Sequence, residues 1–148
     1  MVEFKLTDSS SSSAEAVIAA SRNFSRRRIE IWPNVSARCY EVHAKGETFA
    51  EVTEAALQGF VWERSRYEWS TPDAVRQTVI DSNALAPGST WEITATPNGD
   101  GCEVECVFRR EFKRTPKGLF AWVVNRFAAR VYGWDLRRAL GAIESRDG

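Results

Sequence analysis

Polar and apolar residues alternate from the start of the chain, where Val2, Phe4 and Leu6 interleave with Glu3, Lys5 and Thr7. This period of two predicts a half-buried strand. The period then changes. Ser12 and Glu15 have the spacing of a capping box, so the serine run 9–13 is expected to form a loop into a short helix that buries Val17, Ile18, Ser21 and Phe24. Ser25 caps a second short helix carrying Arg26, Arg27, Arg28 and Ile29, and Trp32 followed by Pro33 ends it, because a residue before proline avoids helical geometry. The three arginines read as a solvated face.

Six strands are expected next, at 37–44, 48–55, 60–69, 74–81, 90–96 and 102–112. The turns between them carry Lys45 and Gly46, Gln58 and Gly59, Pro72 and Asp73, Pro87 and Gly88, and the run 97–101. Such short connections join antiparallel neighbours, so the six strands form a meander. The last pattern, 116–145, is helical, with Thr115 as cap and Pro116 at the first position, and would be about 45 Å long. Trp122, Asn125, Ala129, Tyr132, Leu136, Leu140 and Ile143 form a stripe suited to burial against the sheet. A second stripe of Phe120, Val123, Val124, Phe127, Val131 and Trp134 is expected to contact the N-terminal helices or close a core. The alternative is a homodimer or partner contact through Phe120, Val124, Phe127 and Val131.

These elements predict one α+β domain spanning 1–148, a curved antiparallel sheet of six to seven strands wrapped around the long helix, with two short helices after the first strand. A curved sheet cannot touch a straight helix everywhere, so a cavity between them is the expected ligand site.

Composition narrows the function. Lys plus Arg and Asp plus Glu are 20 each, which argues against nucleic-acid binding. The absence of a signal peptide and of a long apolar run predicts a cytoplasmic chain without a transmembrane segment. Cys39, Cys102 and Cys106 lack metal-ligand spacing and are expected as reduced thiols. His43 is the sole histidine and has no nucleophile at a recognised spacing, and no glycine-rich loop opens a helix, so neither a metal nor a cofactor is expected. Six tryptophans suit the wall of an apolar cavity.

Trp32, Pro33 and Asn34 after the second helix, VWERSRYEW at 61–69, the segment from Asp81 to Ser89 with Trp91 and Glu92 behind it, and the glycine-rich turn before CEVECVFRREF together resemble the START-like superfamily. This group, also called SRPBCC, contains the polyketide cyclase/dehydrase and lipid-transport proteins. The resemblance covers essentially the whole chain and implies a helix-grip fold enclosing a hydrophobic cavity. Its members bind lipids, sterols, polyketides or plant hormones, and some cyclise or dehydrate polyketides. Fold alone does not choose among these.

In the last strand Glu103 and Glu105 should face water, turning Val104, Cys106, Phe108 and Arg110 inward, and Trp91 and Ile93 share that phase against Glu92. Arg110 is a candidate clamp for a ligand carboxylate or enolate, or else pairs with Glu68 or Asp81. Both phases of 61–69 are mixed; Trp62, Arg64 and Glu68 are taken as inward, as are Val79 and Asp81 on the next strand. From the helix, Trp122, Asn125, Ala129 and Tyr132 complete the candidate wall. The leading expectation is a binder of a hydrophobic small molecule or lipid. The alternatives are a polyketide cyclase/dehydrase using Arg110, Arg64, Tyr67 and Asp81, and an interaction module whose cavity is filled by side chains.

Overall fold

The computed structural model describes residues 1–127 and 129–147, and the side chains of Leu57, Ala129 and Asp147 lie outside the described residues. Strand β1 (Val2–Ser10) is followed by helices α1 (Ala14–Ser21) and α2 (Arg27–Ile31). Strands β2 (Glu41–Lys45), β3 (Phe49–Ala56), β4 (Val61–Glu68), β5 (Ala74–Ser82), β6 (Thr90–Asn98) and β7 (Gly101–Arg110) come next. The sheet order is β1-β7-β6-β5-β4-β3-β2, so the last six strands are a meander and β1 closes onto β7. The sheet is open, curved and antiparallel, and the C-terminal helix packs against it in a helix-grip arrangement. That helix is described as α3 (Pro116–Phe127) and α4 (Ala129–Asp147). Thr115 caps α3 as expected, accepting from the Gly118 N–H at 3.0 Å. Gly118 itself is required there, because a Cβ would collide with the Lys113 carbonyl.

Several boundaries differ from the expected ones for identifiable reasons. Ser9 and Ser10 belong to β1 rather than to the loop, because they pair with Glu103 and Cys102 of β7. Ser13 caps α1 instead of Ser12, accepting from the Ala16 N–H at 3.1 Å. The first meander strand starts at Glu41, after a turn in which the Cys39 N–H reaches the Ser36 carbonyl. Trp32 does end α2, with extended backbone before Pro33.

The core joins Val17 and Ile18 of α1, alternate residues of the sheet, and Leu136, Ala139, Leu140 and Ile143 of α4. Inward phase follows the expected alternation on β6 and β7, where Trp91, Ile93, Ala95, Cys102, Val104, Cys106 and Phe108 are all buried. The phase of β4 is the reverse of that expected: Ser65 and Tyr67 are buried, Glu63 faces the cavity, and Trp62, Arg64 and Glu68 lie on the outer face. Partners decide this. Inside, Ser65 and Glu63 meet Gln77 and Tyr67 meets Glu54, while outside Arg64 and Arg66 pair with Glu51 and Arg66 with Glu68. Asp81 is also turned outward. In the strand register Arg64 lies opposite Asp81 but Ser65 opposite Val79, so Ile80 is an extra residue, and this bulge flips the alternation after Val79.

The second apolar stripe is not covered. Phe120, Val123, Phe127, Val131 and Trp134 are exposed, since α1 and α2 pack on α4 and the sheet and leave the outer side of α3 open.

Candidate ligand cavity

Between the sheet and the C-terminal helix lies a cavity of about 510 Å³. Trp91, Cys106 and Phe108 line it from the sheet, and Ala121, Val124, Asn125, Tyr132 and Leu136 from the helix. The aromatic rings form a continuous wall, with Phe108 stacked on Phe4 at 4.5 Å between centroids and 5.4 Å from Tyr132. Trp32 closes the far side edge-on to Trp91. Five lining residues, Pro33, Asn34, Gln58, Phe120 and Val131, are exposed and mark where the cavity opens.

Two polar clusters interrupt this wall. At the first, Arg110 donates to Glu63 Oε2 and to Gln77 Oε1, each at 3.3 Å. Gln77 in turn donates to Glu63 Oε1 at 2.7 Å and to Ser65 Oγ at 3.0 Å. The 3.3 Å bonds are long for a charge-assisted pair, and a guanidinium has five N–H donors, so Arg110 keeps donor capacity for a further oxygen.

The second cluster is closed. Arg28 donates from Nε to Glu54 Oε2 at 2.9 Å and from a terminal nitrogen to the Ser21 carbonyl at 3.0 Å, and the Tyr67 hydroxyl donates to Glu54 Oε1. The Phe24 and Tyr67 rings face the Arg28 guanidinium at 4.4 and 4.8 Å. Burial works against this charge, yet Glu54 and Tyr67 outweigh it and hold the Arg28 proton more tightly than usual. Burial, reinforced by the Glu54 carboxylate, keeps the Tyr67 phenol well above its ordinary range.

Burial also raises Tyr132 against the pull of Arg110, so its hydroxyl is a neutral donor on the cavity wall. Asp135, at the same wall, is raised by burial against the pull of Arg138. The Cys106 thiol is pushed up to about 12 by burial and is an inert part of the lining.

Of the candidate wall residues the structure brings six together at this cavity, Trp91, Cys106, Phe108, Arg110, Asn125 and Tyr132, and Tyr67, a candidate of the cyclase reading, lines it as well. Others lie elsewhere. Trp62, Arg64, Glu68 and Asp81 are on the outer face, and Asp81 pairs there with Lys113. Ile93 and Val104 are packed in the core with α1, and Val79 is buried without reaching the cavity. Trp122 points to solvent, and the Ala129 side chain lies outside the described residues. Arg110 pairs with neither Glu68 nor Asp81 but with Glu63. Arg28, Glu54, Glu63 and Gln77 escaped the sequence reading. One signal was present: Glu54 shares its phase with Ala50 and Val52, and a carboxylate on an apolar phase demands a buried partner.

The sequence matches the description "Polyketide cyclase / dehydrase and lipid transport" over residues 1–146. The chain belongs to this family. Its fold is shared with the Zhui aromatase/cyclase from Streptomyces sp. R1128, at a TM-score of 0.79 and 14% identity over 99% of this chain and 96% of that one. TTHA0849 from Thermus thermophilus gives a TM-score of 0.74 at 16% identity, covering 98% of this chain and 96% of the other. A START superfamily protein from Mycobacterium smegmatis gives 0.69 at 12% identity, covering 97% and 95%. No curated protein matches the sequence.

This polyketide cyclase/dehydrase and lipid-transport family member has no group of three or more His, Cys, Asp or Glu placed to hold a metal ion among the described residues. His43 lies on β2, bonded to Thr53 Oγ1 and away from the cavity lining. Among the described residues no helix is long and apolar enough to cross a membrane.

Proposed function

We propose that the protein binds a hydrophobic, oxygen-bearing small molecule in this cavity, with its apolar body against Trp91, Phe108 and Tyr132 and an oxygen at Arg110. One observation carries the reading: a buried guanidinium with donors to spare borders an aromatic-walled space of about 510 Å³. Arg28 cannot take this role, because Glu54 and Ser21 already occupy its fork. The reading of a cavity filled by side chains loses its premise, since the space is open.

The test compares two aromatic probes of similar size, the anionic 8-anilinonaphthalene-1-sulfonate and the neutral N-phenyl-1-naphthylamine. Arg110→Leu should weaken the sulfonate about tenfold or more and leave the neutral probe unchanged. Sulfonate affinity in the variant equal to that of the parent protein would remove Arg110 from the site.

A second reading, polyketide cyclisation or dehydration, is favoured by the pairing of Glu63 with Arg110 beside the Tyr132 hydroxyl. Arg110 would polarise a ligand carbonyl, Glu63 would take the proton from the adjacent carbon, and Tyr132 would donate to the developing oxygen. Its test is incubation with a synthetic poly-β-ketone. Loss of water detected by mass spectrometry, absent in Glu63→Gln while probe binding persists, would support turnover; an unchanged substrate would leave binding as the function.

A further inference from the structure

Helix α3 is built inside out. Toward the sheet it buries Gly118, Ala121 and Asn125, whereas Leu119, Phe120, Trp122, Val123 and Phe127 face solvent. At 100° per residue these five cover an arc of about 160°, with Arg126 inside it. Val131 and Trp134 at the start of α4 are exposed as well, at 55% and 64%, and Phe60, edge-on to Phe120, extends the surface past the helix. A helix whose outer face is more apolar than its inner one has a partner for that face.

Charge says which partner. From residue 113 to residue 134 the chain carries Lys113, Arg114, Lys117, Arg126 and Arg130 and no Asp or Glu, in a protein whose formal charges cancel. Lys113 pairs with Asp81, but none of the ion pairs among the described residues involves Arg114, Lys117, Arg126 or Arg130. A second copy of the chain is a poor occupant, because a two-fold contact on this face would set like charges against each other. Large aromatic side chains flanked by unpaired cations are instead the pattern of a helix lying in the interface of an anionic bilayer.

We propose that the outer face of α3 and the first two turns of α4 dock on an anionic lipid membrane. The docked face adjoins the mouth of the cavity, because Phe120 and Val131 belong to both. Bilayer contact therefore faces the opening onto hydrocarbon, and a hydrophobic molecule exchanges between cavity and membrane without crossing water. The docking goes beyond the ligand reading and stands whatever the cavity holds.

The test uses the full chain in a flotation assay with vesicles of phosphatidylcholine alone and of equimolar phosphatidylcholine and phosphatidylglycerol. Flotation with the anionic vesicles only, with a blue shift of tryptophan fluorescence, is expected. Replacing the cations in Arg126→Gln/Arg130→Gln should weaken partitioning about thirtyfold, at roughly one surface-charge contribution per arginine. Phe127→Ser, at a position 79% exposed and so without consequence for folding, should weaken it about tenfold. The proposal is overturned if the protein floats with neither vesicle, or if it floats equally with both and ignores the arginine substitutions. A concentration-dependent dimer that Phe127→Ser abolishes would also overturn it, by giving the face to a second copy.

Discussion

The Arg28 guanidinium and the Glu54 carboxylate, 26 residues apart in sequence, meet at 2.9 Å with their side chains only 3% and 8% exposed. Helix α2 is thereby fixed to β3 at one end of the cavity. Neither charge has water to fall back on, so their removal is asymmetric. Glu54→Ala should cost roughly 3–5 kcal/mol, because Arg28 is left buried and uncompensated, while the double variant Arg28→Met/Glu54→Leu should cost less than either single change. Urea unfolding of Glu54→Ala, the double variant and its two single changes checks this; a Glu54→Ala protein as stable as the parent would show that Arg28 escapes to solvent.

Tyr67 closes the same cluster from β4. Its hydroxyl donates to Glu54, and Tyr67→Phe should cost about 1 kcal/mol at neutral pH through that lost bond.

The alkaline limb of stability should respond to the same variant. Burial first, and Glu54 second, raise the folded-state Tyr67 well above the ordinary value of 10.0. The folded protein thus keeps a proton that the unfolded chain releases above about pH 10. The contribution is complete below that pH and is lost as pH climbs toward the folded-state value. Stability should fall by up to about 1.4 kcal/mol per pH unit from this tyrosine, and the fall should be shallower in Tyr67→Phe. Urea midpoints between about pH 8 and 11 would reveal it, and parallel slopes would mean that Tyr67 ionises freely in the folded state.

Thiol reactivity offers an independent view of the lining. Burial raises Cys102 and takes Cys106 to about 12, and both face the sheet interior, whereas Cys39 is only half-buried. Iodoacetamide at about pH 8 should add once to the native protein, at Cys39, and three times after unfolding. Rapid labelling of Cys106 in the native state would mean that the cavity floor is open to water.

The sequence made the fold legible wherever one periodicity dominated. Alternation marked β1, β6 and β7 as strands, the short turns implied the six-strand meander, and the long stripe through Leu136, Leu140 and Ile143 implied the grip, whereas the closure of β1 onto β7 was seen only in the structure. The site was legible only where phase was unambiguous, as for Trp91, Phe108 and Arg110. It failed on β4, because Arg64, Arg66 and Glu68 could face either way until the outer ladder with Glu51 and the inner partners Gln77 and Glu54 were known. It failed at Asp81 because a one-residue bulge leaves no mark in composition. Arg28 was hidden among three neighbouring arginines, only one of which lies on the buried side of α2. The exposed stripe of α3 was visible as a second apolar face, but what covers it depends on where α1 and α2 pack.

The space between sheet and helix takes up a hydrophobic molecule in this account, and that uptake can be measured directly. Protein freed of bound material by organic extraction and refolding would be titrated with N-phenyl-1-naphthylamine, alongside Ala121→Trp, which places an indole in the cavity from the helix side. Saturable uptake of one probe per chain, lost in Ala121→Trp while Phe127→Ser retains it, is the predicted result. No uptake by the parent protein, or uptake that Ala121→Trp leaves unchanged, would contradict it.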